Sequence, residues 1–263
     1  MAKSLWLAVL FSLAALTAIR PETDLLVSRW FYTPGNAPDE RFPLRFWGVT
    51  DMIHTLAVNM WMPMAAILAG GLLWAVRRKK SPRAWLFLLL VLLIGPGLVA
   101  NAVLKDHWGR ARPAQVQEFG GGAIFTPYWQ IADQCRDNCS FIAGDGAFGF
   151  VLPALGLVLA RRRTWFWSGI TAGIIMGGNR IVMGSHFMSD VVLAALLMLL
   201  TMLLLHAAIY GPRATRAGMA GNLAYFTSSL PQPSNRQSAS PGTIRRRVSG
   251  RYPGRLRCRS DRR

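Results

Sequence analysis

Apolar positions fill six long stretches of the chain, residues 5–19, 56–76, 84–104, 146–160, 165–183 and 191–210, separated by shorter polar or basic segments. About 20 apolar residues span a bilayer as a helix, and a helix satisfies its own backbone in lipid. The pattern therefore predicts an all-α, integral membrane six-helix bundle occupying residues 1–210. The first and fourth stretches are the shortest and would tilt or draw on their flanks. The first follows a single Lys3 and ends without a small-x-small cleavage pair, so it reads as a retained anchor rather than a secretory signal. After Tyr210 the apolar pattern stops. Residues 211–263 are rich in Arg, Ser, Pro and Gly, include Arg245, Arg246 and Arg247, and are expected to be a disordered cytoplasmic tail near anionic lipid.

Charge fixes the orientation of this pattern. A net charge of +18 would suggest nucleic acid in a soluble protein, but 52% of the residues are hydrophobic and only 16% charged. The cations gather in two short loops, Arg77, Arg78, Lys79, Lys80 and Arg83 after the second stretch, and Arg161, Arg162 and Arg163 after the fourth. Such loops face the cytoplasm. Both chain ends are then cytoplasmic, the three remaining loops face outward, and the expected partner is a membrane rather than nucleic acid. A bacterial inner membrane with the site toward the periplasm is the corresponding location; the oligomeric state is not legible.

The polar residues of the outward loops supply candidate chemistry. Between the last two stretches lie Asn179, Arg180, His186 and Asp190. Ionisable residues at a membrane edge tend to be functional. A helix beginning at His186 would set Asp190 one turn below it, able to accept a hydrogen bond from the ring and leave the other nitrogen free to attack; alternatively both residues cap a membrane helix. Lys105 and Arg112 follow the third stretch on the same face as Arg180. Three converging cations repel one another unless an anion joins them, and phosphate suits an arginine fork and a lysine point charge. Arg110 and His107 are expected to snorkel to headgroups, and His54 to be an interfacial structural residue.

The loop 105–145 is longer than a connection requires, which marks a functional or disordered segment. Phe125, Tyr128 and Trp129 within it would rest on the membrane or line an acyl entrance. Cys135 and Cys139 form a disulfide in an oxidising compartment, or stay reduced, or bind a metal; no quartet of ligands for zinc accompanies them, and no metal or cofactor is expected. Cys258 should be a free thiol. Gly144 lets backbone N–H groups approach an anion at a helix start, with Asp145 as an N-cap. Gly169, Gly173 and Gly177 form a stripe for close internal helix packing, and secondarily for a dimer contact.

Lys105 to Pro113 reads K-x6-R-P, and Arg180, His186 and Asp190 read R-x5-H-x3-D. In that order and spacing these resemble two of the three signatures of the type 2 phosphatidic acid phosphatase superfamily. The middle signature, P-S-G-H in most members, stands here as Ile142-Ala143-Gly144-Asp145, and Asn179 replaces the usual serine. The stretch from Phe125 to Cys135 and from Asn138 to Phe141 looks most like the bacterial lipid A 1-phosphatase branch, in which an acidic residue also occupies the middle position. The resemblance implies metal-free hydrolysis of a lipid phosphate or diphosphate through a phosphohistidine. His186 would attack phosphorus, Asp190 would orient it, and Lys105, Arg112, Arg180 and the Gly144 N–H would hold the phosphoryl oxygens. Asp145 would stand where the family's histidine protonates the leaving group, yet a carboxyl group among cations holds little proton at neutral pH. Either burial raises its pKa or the reaction needs less acid help, and the latter is expected of a substrate with a good leaving group, lipid A 1-phosphate first. Prenyl (undecaprenyl) diphosphate and phosphatidylglycerophosphate are the alternatives. A non-catalytic lipid-phosphate binding protein is an alternative of another class.

Overall fold

The computed structural model describes residues 2–35, 37, 40–159 and 162–212. The expected tail beyond Pro212, with Cys258, lies outside the described residues. Apart from an isolated bridge between Val116 and Ala123, the regular structure described is helical. The helices are α1 (Ala2–Ile19), α2 (Glu22–Arg29), α3 (Gly48–Asn59), α4 (Trp61–Arg77), α5 (Arg83–Leu92), α6 (Lys105–His107), α7 (Gly144–Gly149), α8 (Leu155–Val158), α9 (Arg162–Val182) and α10 (Met188–Tyr210). A π-helical segment, Leu93–Leu104, joins α5 to α6.

Among the described residues, three helical stretches are long and apolar enough to cross a membrane: Gly48–Arg77, Arg83–His107 and Met188–Tyr210. Ala8–Ile19 and Gly144–Val158 are shorter apolar helices. Val58, Ile67, Leu98, Leu200 and Leu204 are exposed, whereas Phe87, Val91, Leu92, Ala147, Ala194 and Met198 are buried where α5, α7 and α10 meet. An exposed aliphatic surface around such a core suits hydrocarbon rather than water.

Two helix boundaries differ from the apolar pattern, for identifiable reasons. The second stretch begins at Gly48, not at Leu56, because a polar turn containing Thr50, Asp51 and His54 continues the helix above the apolar run. The helix is interrupted at Met60, three residues before Pro63, which has no N–H to give. The fourth stretch begins at Gly144, breaks after Gly149 and resumes beyond Pro153. Ala143 is its N-cap residue, so Asp145 lies inside the first turn rather than capping it.

The glycine stripe packs internally. A Cβ on Gly149 would lie 2.7 Å from the Cα of Gly173, and one on Gly169 would lie 2.1 Å from the Pro153 ring. Only hydrogen at these positions lets α9 approach the broken helix so closely.

Helix α9 ends at the same end of the bundle as α3 begins, since Asn179 Nδ2 donates to the Thr50 carbonyl at 2.9 Å. At about 1.5 Å per residue, the chain from there to Arg77 is long enough to cross a bilayer. The basic loop after Arg77 and the polar cluster therefore lie at opposite ends. Over the polar end, Phe42, Ala111, Val116, Phe119 and Phe187 make a second small core, with the Phe42 and Phe119 rings edge to face at 5.7 Å.

Candidate active site

His186 sits in the turn between α9 and α10. Gly184 adopts φ +63°, and the backbone N–H groups of Ser185 and His186 both return to the Arg180 carbonyl, at 3.0 and 3.2 Å. A side chain on Gly184 would strike the Phe42 ring. His186 is only 1% exposed, and its Nδ1–H donates to the Ser140 carbonyl at 2.5 Å. A carbonyl only accepts, so Nδ1 carries the hydrogen and Nε2 keeps its lone pair. Burial pushes the imidazole down to about 4, which leaves it neutral at pH 7.

The direct His186–Asp190 hydrogen bond expected from a continuous helix is not the arrangement found. Helix α10 begins at Met188, after His186, and Asp190 Oδ2 stands 3.7 Å from Nδ1. That oxygen accepts instead from the Phe187 N–H at 2.9 Å and from Ser140 Oγ at 2.5 Å. Asp190 thus caps α10 and holds Ser140, whose carbonyl holds the ring.

Behind Asp190 lies a network that motif spacing did not reveal. Arg110, expected to snorkel, is fully buried. It donates from Nη1 to Asp190 Oδ1 at 2.6 Å, from Nη2 to Asp24 Oδ2 at 2.9 Å and from Nε to the Thr126 carbonyl at 2.9 Å. Its guanidinium carbon lies 4.4 Å above the Phe187 ring. Asp24, from α2, also accepts from the N–H and hydroxyl of Ser189. Two carboxylates this close require the shared arginine. His107, by contrast, is exposed, with Nδ1 2.9 Å from the Val103 carbonyl of the preceding turn.

Lys105, Arg112, Gly144, Asp145 and Arg180 are brought to the wall of one cavity of about 740 Å³. Arg45, not foreseen, joins them. Ser185 is on this wall, while the His186 ring beside it is not. Arg112 is held from Nε and Nη2 by the Asn138 carbonyl, at 3.0 and 2.6 Å. Burial and the neighbouring Arg180 draw its guanidinium down to about 10, still charged at neutral pH. Lys105 Nζ is 3.5 Å from Asn101 Oδ1. The buried Nε of Arg180 has no hydrogen-bond partner among the described residues, and Asp145 Oδ2 stands 3.4 Å from it. A Cβ on Gly144 would lie 2.4 Å from Asn101 Oδ1, so a larger residue there requires the Asn101 amide to move.

Cys135 and Cys139 are joined in a disulfide. Its loop is tied to the Lys105–Arg112 segment, with Cys139 N–H donating to the Lys105 carbonyl and Ser140 N–H to the Arg110 carbonyl. Among the described residues no group of three or more His, Cys, Asp or Glu side chains is placed to hold a metal.

His54, expected to be structural, is a further departure. Its Nδ1 lies 2.7 Å from Asp145 Oδ2, and it lines the cavity. Ala57, Val58, Trp61, Pro96 and Phe148 also line the cavity. A cavity lined by both cations and apolar side chains suits an anionic group carried on an apolar body.

Residues 83–213 match the PAP2 superfamily. The chain is also 35% identical over 199 residues to a lipid A 4'-phosphatase of Francisella tularensis subsp. novicida, covering 73% of this chain and 88% of that protein. The chain belongs to the PAP2 superfamily. Lipid A 4'-phosphatases of Rhizobium etli and Rhizobium leguminosarum are each 33% identical to it, over 58% of this chain and 62% and 69% of theirs. This PAP2 protein is thus related to lipid A phosphatases through 4'-phosphatase homologues, and not specifically through the 1-phosphatase branch to which its cysteine loop pointed. It is a multi-pass membrane protein of a phosphatase superfamily. No solved structure matches the chain.

Proposed function

We propose that this protein is a bacterial inner-membrane phosphatase acting on lipid A, with the 4'-phosphate as its first substrate. The carrying observation is the convergence of Lys105, Arg112 and Arg180 on a cavity that apolar side chains also line, beside a buried neutral histidine. His186 Nε2 attacks phosphorus, and the three cations with the Gly144 N–H hold the phosphoryl oxygens as charge redistributes. A phosphohistidine forms, and water then cleaves it. The histidine's orientation comes from Ser140, with Asp190 balancing the positive charge that develops on the ring. No metal is required by this route. The basic loops support an arrangement of six crossings with the site facing the periplasm.

The 4'-phosphate is favoured over the 1-phosphate because the named function of all three relatives is the former. The decisive experiment incubates the purified full chain in detergent, with chelator, with bis-phosphorylated lipid A, undecaprenyl diphosphate or phosphatidylglycerophosphate. Mass spectrometry of the lipid identifies the position lost. Release from the 4'-position that disappears in His186→Ala is the expected result. Release from another lipid would reassign the substrate, and lipid binding with no release from any would replace the enzyme by a binding protein.

A further inference from the structure

A 4'-phosphate leaves from an ordinary sugar alcohol, a poorer leaving group than an anomeric oxygen, so the proposed reaction calls for a proton donor. Asp145 is unsuited to that task. Its Oδ2 receives the imidazole of His54 at 2.7 Å and faces Arg180 Nε at 3.4 Å, both partners of an ionised carboxylate. His54 is better placed. It stands on the polar turn that starts α3, lines the cavity, and is partly exposed at 32%. Asp145 engages Nδ1, and Nε2 has no protein partner among the described residues.

We infer that His54 is the general acid of this site, held by Asp145, so that a histidine from a different helix delivers the proton where the middle motif carries a carboxylate. The inference rests on the phosphohistidine reading above. In the first step the His186 Nε2–P bond forms as the bond from phosphorus to the sugar oxygen breaks, and the proton on His54 Nε2 passes to that oxygen. The products are the free alcohol, the phosphohistidine and a neutral His54. In the second step water attacks phosphorus, His54 takes its proton, the P–N bond breaks and phosphate departs, which restores both histidines. Asp145 keeps Nδ1 protonated throughout, as a positioning residue.

Dependence on the leaving group is the test, because a structural or phosphate-binding role for His54 would not produce it. The full chain is assayed in detergent with lipid A and with a nitrophenyl phosphate carrying an alkyl chain, whose leaving group needs no proton. His54→Gln and His54→Asn keep an amide that can donate to Asp145, and whichever unfolds at the wild-type temperature is used. Release that survives in His186→Ala would sink the phosphohistidine reading itself, independently of His54. With that control passed, the expected loss on lipid A is about 100-fold or more, against less than about fivefold on the aryl phosphate if proton delivery is the only function removed. A second readout avoids the aryl substrate: added imidazole should restore lipid A turnover to His54→Ala but not to His186→Ala. Equal losses on both phosphates, no loss on lipid A, or failure of imidazole to restore His54→Ala would each overturn the assignment.

Discussion

Arg110 Nη1 lies 2.6 Å from Asp190 Oδ1, and neither side chain is exposed to solvent. The same guanidinium reaches Asp24 in α2, so one buried cation ties α2, the 105–145 loop and the start of α10 together. Removing it strands two carboxylates in a dry site. Arg110→Ala should cost on the order of 3–5 kcal/mol of stability, and thermal unfolding in detergent would measure it. Asp24→Asn, which keeps the shape and removes one charge, should cost much less. If Arg110→Ala unfolds at the wild-type temperature, the network is not a structural tie.

The pH dependence of folding should carry the signature of His186. Its ring is held near 4 in the fold against an ordinary value of about 6.5, because burial penalises the cation. Between those values the unfolded chain takes up a proton that the native ring refuses, and stability rises with pH wherever the unfolded state binds more protons. The contribution of His186 is therefore fully present above about pH 6.5 and is lost as pH falls toward 4. Nitrogen-15 NMR of labelled histidine, assigned by comparison with His186→Gln, should show a neutral ring at pH 5.5. A cationic ring at that pH would contradict the buried geometry.

The disulfide loop should set the affinity for phosphate. The Asn138 carbonyl grips two nitrogens of Arg112 and is next in sequence to Cys139. Cys135→Ser with Cys139→Ser should loosen that grip and raise KM about tenfold, equivalent to about 1.4 kcal/mol, while kcat changes little. Steady-state kinetics on the preferred lipid would distinguish this from a loss of folding, in which KM stays constant and the active fraction falls.

Close packing of α7 on α9 should tolerate no added methyl group. Gly149→Ala sets its Cβ 2.7 Å from the backbone of Gly173, where no flexible side chain can move aside. A loss of about 1–3 kcal/mol is expected. Gly178→Ala, next to Gly177 in sequence but facing open space, provides the control and should leave the unfolding temperature unchanged or raise it slightly.

What the sequence determined by itself follows from properties carried by contiguous residues. Runs of apolar positions long enough to cross a bilayer need no distant partner to be recognised, and the separation of basic loops from signature motifs repeats at each turn of the chain. Lys105, Arg112 and Arg180 were expected together because their positions relative to the apolar runs place them at one end, and they do line one cavity. The spacing of Cys135 and Cys139 likewise permitted their disulfide. Tertiary structure decided which groups touch. Arg110 and His107 occupy equivalent-looking positions in one short segment, but Arg110 is buried by Asp24 and Asp190, which are remote in sequence, while His107 stays exposed. His54 looked like an interfacial residue because its polar turn hid the start of α3; only the packing of α3 beside α7 brings it to Asp145. Asp190 was expected to bond His186 directly, yet the turn at Gly184 places the ring before the helix and gives that bond to Ser140. Local chemistry fixes what each residue offers; burial against remote segments fixes which partner accepts it.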